Sequence, residues 1–497
     1  MGLDVVISGG RVIDPETGID DVRHVGLVGG EIAVISDSPL QGELSIYADG
    51  LVVAPGFIDL HSHTQSIPGD RIQAFDGVTT ALELESGIMP IGRWYEFQAS
   101  SGRAINYGAA VAWTFARVAV MNPELGEPDG TLEYFQRAFG HSEWSSSVAI
   151  DDQVQAMIAR IEEGLREGGL GIGINNGYAP GAGVQEMAEV CALAARHGVP
   201  TYTHISFMSN VDPDSSFQGY LRLIAYAAAT GAHMHICHLN STSLRDIERC
   251  VEAVKRAQEA GLRITVEAYP YGAGSTAIGA AMFLDPEFRR RTGSDWSDIV
   301  VNATGEAIAS EDRLKELQAE DAGAVVVWHI IHPDSDPQHQ QMLDLANLYP
   351  GGAVASDAMP WAMPDGTFLS DNVWPMPAEA VAHPRSAGTF ARFVSQYVTR
   401  RGKIDLMEAI AKCSLIPAQI LEESTPQMKR KGRLQVGADA DIVVFDADEF
   451  RDRATFQQPG VPSVGMRHVL VNGTPLIING ELDVNALPGK PVRRPIG

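Results

Sequence analysis

The stretch GFIDLHSHTQ, residues 56–65, sets His61 and His63 two apart behind an apolar run. Residues i and i+2 of a strand point to one side, so both imidazoles reach one ion. A His-x-His pair alone is a weak metal signal, because such residues also mark where a strand meets a loop. The same kind of residue recurs at comparable places. GVTTALELESG carries Glu83 and Glu85 in phase, PTYTHIS ends near His204, HMHICHLNS near His238, and GGAVASDAMP at Asp357. Histidine nitrogens and carboxylate oxygens are the ligands a divalent metal takes, and unpaired polar groups at buried strand ends would be costly. Together they point to metal-assisted hydrolysis, in which the ion activates water and polarises a carbonyl while a carboxylate moves the proton.

The other histidines are weighed the same way. His24, His141, His197, His339 and His468 lack a strand-end context and read as surface or core residues. His233 and His235 lie mid-strand and read as structural or as supports for the ligands. His329 and His332, in VVWHIIHP, end an expected strand within reach of a substrate.

These side chains need a scaffold that brings distant strand ends together. Between residues 56 and 420, apolar strands alternate with helical patterns such as DDQVQAMIARIEEGLREGG and VQEMAEVCALAARHG. That rhythm predicts a parallel sheet, and its length suits a (β/α)8 barrel, in which chemistry sits at the C-terminal strand ends. An open doubly wound sheet is the alternative, but no Gly-x-Gly-x-x-Gly turn follows a first strand. Residues 1–55 and 421–497 read instead as short strands with Gly, Asp and Asn-Gly turns, and are expected to pair into one small β-sandwich domain. Residues 358–390, rich in Pro and Met and holding Trp361 and Trp374, read as a lid-like loop whose apolar residues suit an apolar part of a substrate.

The chain has 497 residues, 45% of them apolar, and a formal net charge of −26. That charge disfavours nucleic acid and anionic membranes as partners. There is no uncharged apolar run of about 18 residues, and the start lacks a secretory pattern. Four scattered cysteines suit a reduced, cytoplasmic protein. A homo-oligomer is compatible with these features.

The motifs, taken in order, resemble the metal-dependent amidohydrolases, and within them the N-acyl-D-amino-acid deacylases (D-aminoacylases). The resemblance rests on GGRVIDPETG, VVAPGFIDLHSH, GVTTALELESG, GYAPGAG, EAYPY, HPRSAGTFARF, SLIPAQILE and the long C-terminal stretch from KGRLQVGADADIVVFDADEF onward. It implies a (β/α)8 TIM-type barrel with a β-sandwich from both chain ends, and one or two zinc ions. It implies His61, His63 and Asp357 at one metal position and His204 and His238 at the other. Asp357 would also serve as general base and acid. The implied partner is a small amide: an N-acyl-D-amino acid, or alternatively a cyclic amide of the hydantoin, imide or lactam type. A metal-free binding protein on the same scaffold is disfavoured because all four histidines and Asp357 are present. The resemblance also implies substrate contacts from Arg385, Tyr178, Asn240, and Tyr269 or Tyr271.

Two departures from the resemblance matter. The relatives carry a ligating cysteine at the end of strand two, where this chain reads LELESG. Serine is a poor zinc ligand and a carboxylate a normal one, so Glu85 is the expected replacement, bridging if two ions bind, with Glu83 as alternative ligand or as a hydrogen-bonded support of His61 or His63. A carbamylated-lysine bridge is excluded, because no lysine precedes Lys255. The relatives' lysine after the strand-six histidine is Asn240 here, which leaves Arg385 as the expected carboxylate partner.

Overall fold

The structure, a computed structural model, describes residues 2–497. Strands β1 (Leu3–Asp14), β2 (Ile19–Val28), β3 (Glu31–Ser36), β4 (Gly42–Tyr47) and β5 (Val52–Pro55) begin a mixed sheet in which β1 pairs with β2, β4 and β5. The chain then enters a second sheet. β6 (Phe57–Asp59), β7 (Val78–Ile88), β8 (Asn106–Ala112), β9 (Ile172–Asn175), β10 (Pro200–His204), β11 (His233–Ile236) and β12 (Ile264–Ala268) follow one another as parallel neighbours. Helices such as Asp151–Arg166 and Val184–His197 connect them. Both faces of these strands are covered, which is why they read as continuous apolar runs.

After β12 the order breaks. β13 (Ala273–Ala277), β14 (Ile299–Val301) and β15 (Val325–His329) form a separate antiparallel sheet before β16 (Ala353–Val354) returns to pair with β12. A parallel bridge between Ser62 and Ala358 brings the eighth strand back to the first, so the sheet is a nearly closed barrel and not an open one. VVWHIIHP therefore belongs to the inserted sheet. His329 packs on His332 and Phe456, away from the metal-ligand cluster, because an antiparallel insertion also produces an apolar run ending in a polar residue.

The C-terminal strands β17 (Ile442–Phe445), β18 (Met466–Val471), β19 (Thr474–Ile478) and β20 (Glu481–Leu482) complete the first sheet, with β17 antiparallel to β5. Both Asn-Gly steps form two-residue hairpin turns. Asn472 and Asn479 have φ of 50° and 51°, and the glycines after them 77° and 78°. Phe57 of the barrel stacks on Phe390 at 5.7 Å and also meets Phe445 and Phe450, fastening the sheet to the barrel floor. Among the described residues no helix is long and apolar enough to cross a membrane.

Candidate metal centre

Four histidines and two carboxylates converge at the C-terminal end of the barrel strands. His61 and His63 follow β6, Glu85 lies on β7, His204 ends β10, His238 follows β11 and Asp357 follows β16. All six are buried. His238 and Asp357 have φ of 36° and 52°, left-handed values that cost energy for residues with a Cβ. Both turn the chain sharply at the strand end and aim the side chain inward.

Buried carboxylates fix the two leading imidazoles. His61 Nδ1 donates to Glu267 Oε1 at 2.6 Å, and His63 Nδ1 donates to Glu83 Oε2 at 2.8 Å. Both Nε2 lone pairs are thereby turned to one point, 3.1 Å apart. Glu85 Oε2 stands 3.3 and 3.6 Å from them, and Asp357 Oδ1 3.4 Å from each. Ligands held at about 2.0–2.1 Å in a tetrahedron stand roughly 3.3 Å apart. Five of the six edges of such a tetrahedron are thus present, at 3.1–3.6 Å.

The other oxygen of Glu85 serves a second position. Oε1 lies 3.0 Å from His204 Nδ1 and 2.9 Å from His238 Nε2. Only Asp357 Oδ2, 4.0 Å from His238 Nε2, approaches from the fourth side. The first position is closed by four protein atoms. The second keeps a face open to the adjoining cavity, which His204 and His238 both line. Closed and open coordination separate structural from reactive zinc sites in general.

The electrostatics suit a cation. Burial alone would lower the pKa of His63, but the Glu83 and Asp357 carboxylates push it up to about 10. Burial raises Glu85, and the charge of His61 with hydrogen bonds from His204 and His238 reverses this, leaving it well below the usual range. For Asp357, the Arg385 guanidinium and His61 likewise outweigh burial and hold it ionised. A field that retains protons on imidazoles retains a divalent ion in their place.

Glu83 thus accepts from His63 Nδ1, while Glu85 is the strand-two glutamate that faces the four imidazole nitrogens. Glu267 was not anticipated; its Oε2 also accepts from His235 at 3.1 Å, so a His235–Glu267–His61 chain runs up the barrel interior. The available signal was a mid-strand glutamate in ITVEAYPY opposite the mid-strand His235. Asp59 was missed as well. It accepts from the backbone N–H of His61 and Ser356, at 3.2 and 2.9 Å, and ties the two arms bearing His61 and Asp357. Asn175 Nδ2 donates to Glu85 Oε2 at 3.0 Å, while Thr114 donates to its Oδ1. Glu267→Gln is expected to lower zinc affinity about 10- to 100-fold, with activity recovering at high zinc. Zinc titration followed by assay checks this, and unchanged affinity would remove Glu267 from the centre.

The residues expected at the substrate separate into two groups. Tyr178 and Tyr269 line the cavity, and Tyr269 Oη is buried without a partner. Tyr271 lies behind, under Arg392 and against His383. Asn240 does not line the cavity. Its amide spans the backbone, donating to Tyr271 O and accepting from Tyr269 N, both at 3.3 Å, so it shapes the tyrosine-bearing loop. Arg385 is fully buried, with Nε on the Asp357 carbonyl at 2.6 Å and Nη2 on its carboxylate at 2.9 Å. Nη2 makes that contact as an ion pair only, and neither Nη1 nor Nη2 has a hydrogen-bond partner, so part of the fork is turned to Asp357. In the lid-like loop, Met359, Pro360 and Phe368 reach the cavity, whereas Trp374 stacks on Phe75 and Trp361 sits in a buried apolar cluster, where they pack the loop down.

With this geometry in hand, comparison with known proteins is direct. A family model described as the amidohydrolase family matches residues 46–250 and 239–477. An N-acyl-D-glutamate deacylase of Alcaligenes xylosoxydans xylosoxydans is 27% identical over 99% of this chain and 97% of its own. A D-aminoacylase of the same organism is 26% identical over 95% of this chain and 94% of its own. The crystal structure of the N-acyl-D-glutamate deacylase from Bordetella bronchiseptica, complexed with zinc and a phosphonate inhibitor, superimposes with a TM-score of 0.75 at 22% identity. It covers 99% of this chain and 100% of that one, and shows the same fold.

Proposed function

The chain belongs to the amidohydrolase family, and on that premise we propose that it hydrolyses the amide bond of N-acyl-D-amino acids with zinc at the six-residue centre. The observation that carries this is Glu85, whose two oxygens face two separate histidine pairs. His61, His63, Glu85 and Asp357 would hold one ion, and His204, His238 and Glu85 a second. Zinc, when bound, supplies Lewis-acid activation of the attacking water and the scissile carbonyl. The Asp357 carboxylate takes the proton of the attacking water and delivers it to the leaving nitrogen. Arg385 keeps that carboxylate ionised and oriented for the first transfer. The apolar cavity walls, to which Met359, Pro360 and Phe368 of the 358–390 loop contribute, limit bulk water at the reacting groups.

Full-length alignment to N-acyl deacylases supports this reading over hydrolysis of cyclic amides. Four free, buried cysteines fit a cytoplasmic location, and the net charge fits a protein that binds neither nucleic acid nor membrane. The test is turnover by zinc-loaded protein of N-acetyl-D-amino acids, their L-enantiomers and a panel of cyclic amides. The D-series is expected to be preferred over both. Turnover confined to cyclic amides would replace the reading with the alternative.

A further inference from the structure

Beyond the centre, the cavity's walls speak to what the substrate carries. Where they leave the metal ligands they are largely aromatic or aliphatic, with Phe139 and Trp328 among them, and the polar side chains between, Gln136, Ser241, Ser275 and Thr276, are uncharged. The inserted sheet of β13–β15 contributes Trp328 and Val325, so it serves the site as a wall. Among the described residues, no lysine or arginine lines this cavity. The nearest guanidinium is Arg385, behind Tyr269 with its CZ 4.7 Å from the ring centre and already paired with Asp357. Its free Nη1 and the unpartnered Tyr269 Oη meet beside Gly274, where a Cβ would stand 4.0 and 3.4 Å from them. Those donors suffice for one carboxylate, and among the described lining residues no cation remains for a second. The adjoining chamber, which shares His63, Pro360 and Phe368, has Arg93 among Glu83, Asp129 and Glu133, so its balance is acidic.

We infer that this cavity is a side-chain pocket for uncharged, apolar amino acids, and that N-acyl-D-glutamate and N-acyl-D-aspartate are excluded. A second carboxylate would lose its water and find no cation, only apolar walls and a few neutral hydroxyl and amide groups. The inference rests on the N-acyl-D-amino-acid reading above and departs from what the names of two full-length relatives would suggest.

The decisive comparison uses the near-isosteric pair N-acetyl-D-methionine and N-acetyl-D-glutamate with zinc-loaded protein. A kcat/KM ratio of at least about 100 in favour of methionine is expected, since discrimination by an unpaired buried charge is large. Glutamate within about tenfold of methionine overturns the pocket assignment. If neither is turned over, the hydrolase reading fails, and calorimetric binding of the same pair decides the pocket separately: tighter methionine binding supports it, while equal binding, tighter glutamate binding or no binding overturns it. Met282→Arg adds a cation to a half-buried wall position. It is expected to shift the glutamate-to-methionine ratio at least tenfold towards glutamate, and an unchanged ratio in the folded, zinc-loaded variant places the side chain elsewhere and overturns the proposal.

Discussion

Asp357→Asn is expected to lower kcat by about 10²- to 10⁴-fold, the range of a positioned general acid–base group. The geometry gives the reason. Asp357 Oδ1 is equidistant, at 3.4 Å, from His61 Nε2 and His63 Nε2, and Oδ2 faces Arg385 and the open histidine position. Asp357 and Glu85 both border the closed and the open metal positions and line the cavity. The oxygens of Glu85, however, are directed at four imidazoles and leave none for a proton shuttle. Asparagine keeps the shape and the oxygen yet neither accepts nor returns a proton at neutral pH. It also leaves Arg385 buried without its anion, so a loss of stability of about 3–5 kcal/mol accompanies the change. Steady-state kinetics with zinc determination separates the effects: kcat falls while the His204–His238 position still fills. A variant that keeps more than a tenth of wild-type kcat would exclude Asp357 as the base.

How much of this was legible beforehand follows from which interactions are local. The His61–His63 pair is visible because two ligands share one strand end, and the Asn-Gly turns because a two-residue loop needs left-handed backbone. The alternation of strands and helices foretells the barrel because each βα unit is a contiguous stretch of chain. Glu267 was not legible because its partner is 206 residues away, and a glutamate inside an apolar strand becomes informative only when the barrel places His61 above it. Asn240 misled for a related reason. Its position in the chain suggests a substrate contact, but the amide lies within reach of two backbone groups that would otherwise be unpaired in a buried loop, and it is spent there.

The inserted sheet is the larger omission. An antiparallel strand buried under neighbouring packing carries the same apolar run as a barrel strand, so VVWHIIHP is indistinguishable from a βα unit by periodicity alone. The distinction lies in pairing, where Ala273 faces His329 and Ala277 faces Val325 in an antiparallel ladder. That ladder sets Trp328 and Val325 against the cavity. The histidines and carboxylates that converge were therefore readable from strand ends, while part of the cavity wall belongs to an insertion whose fold depends on long-range pairing.

Removing the shared carboxylate should have a comparable effect by a different route. Glu85→Ala leaves three protein ligands at one position and two at the other, so the bound zinc is expected to fall by at least one ion per chain and kcat/KM by about 10³-fold or more at limiting zinc. Glu85→Gln tests bridging itself, since an amide offers one good acceptor oxygen and must serve one histidine pair or the other. Thermal unfolding supplies a readout independent of turnover. A ligand bound only by the folded state stabilises it by RT ln(1 + [L]/Kd), about 2.7 kcal/mol at a hundredfold excess over Kd. Wild-type protein should therefore lose several degrees of Tm on chelation, and Glu85→Ala much less. The metal-free comparison isolates the folding role, because Glu85 is then held by hydrogen bonds from His204, His238 and Asn175. If the Ala and Gln variants both bind two ions and keep the wild-type response to chelation, Glu85 does not bridge, and the strand-two ligand must be sought at another residue.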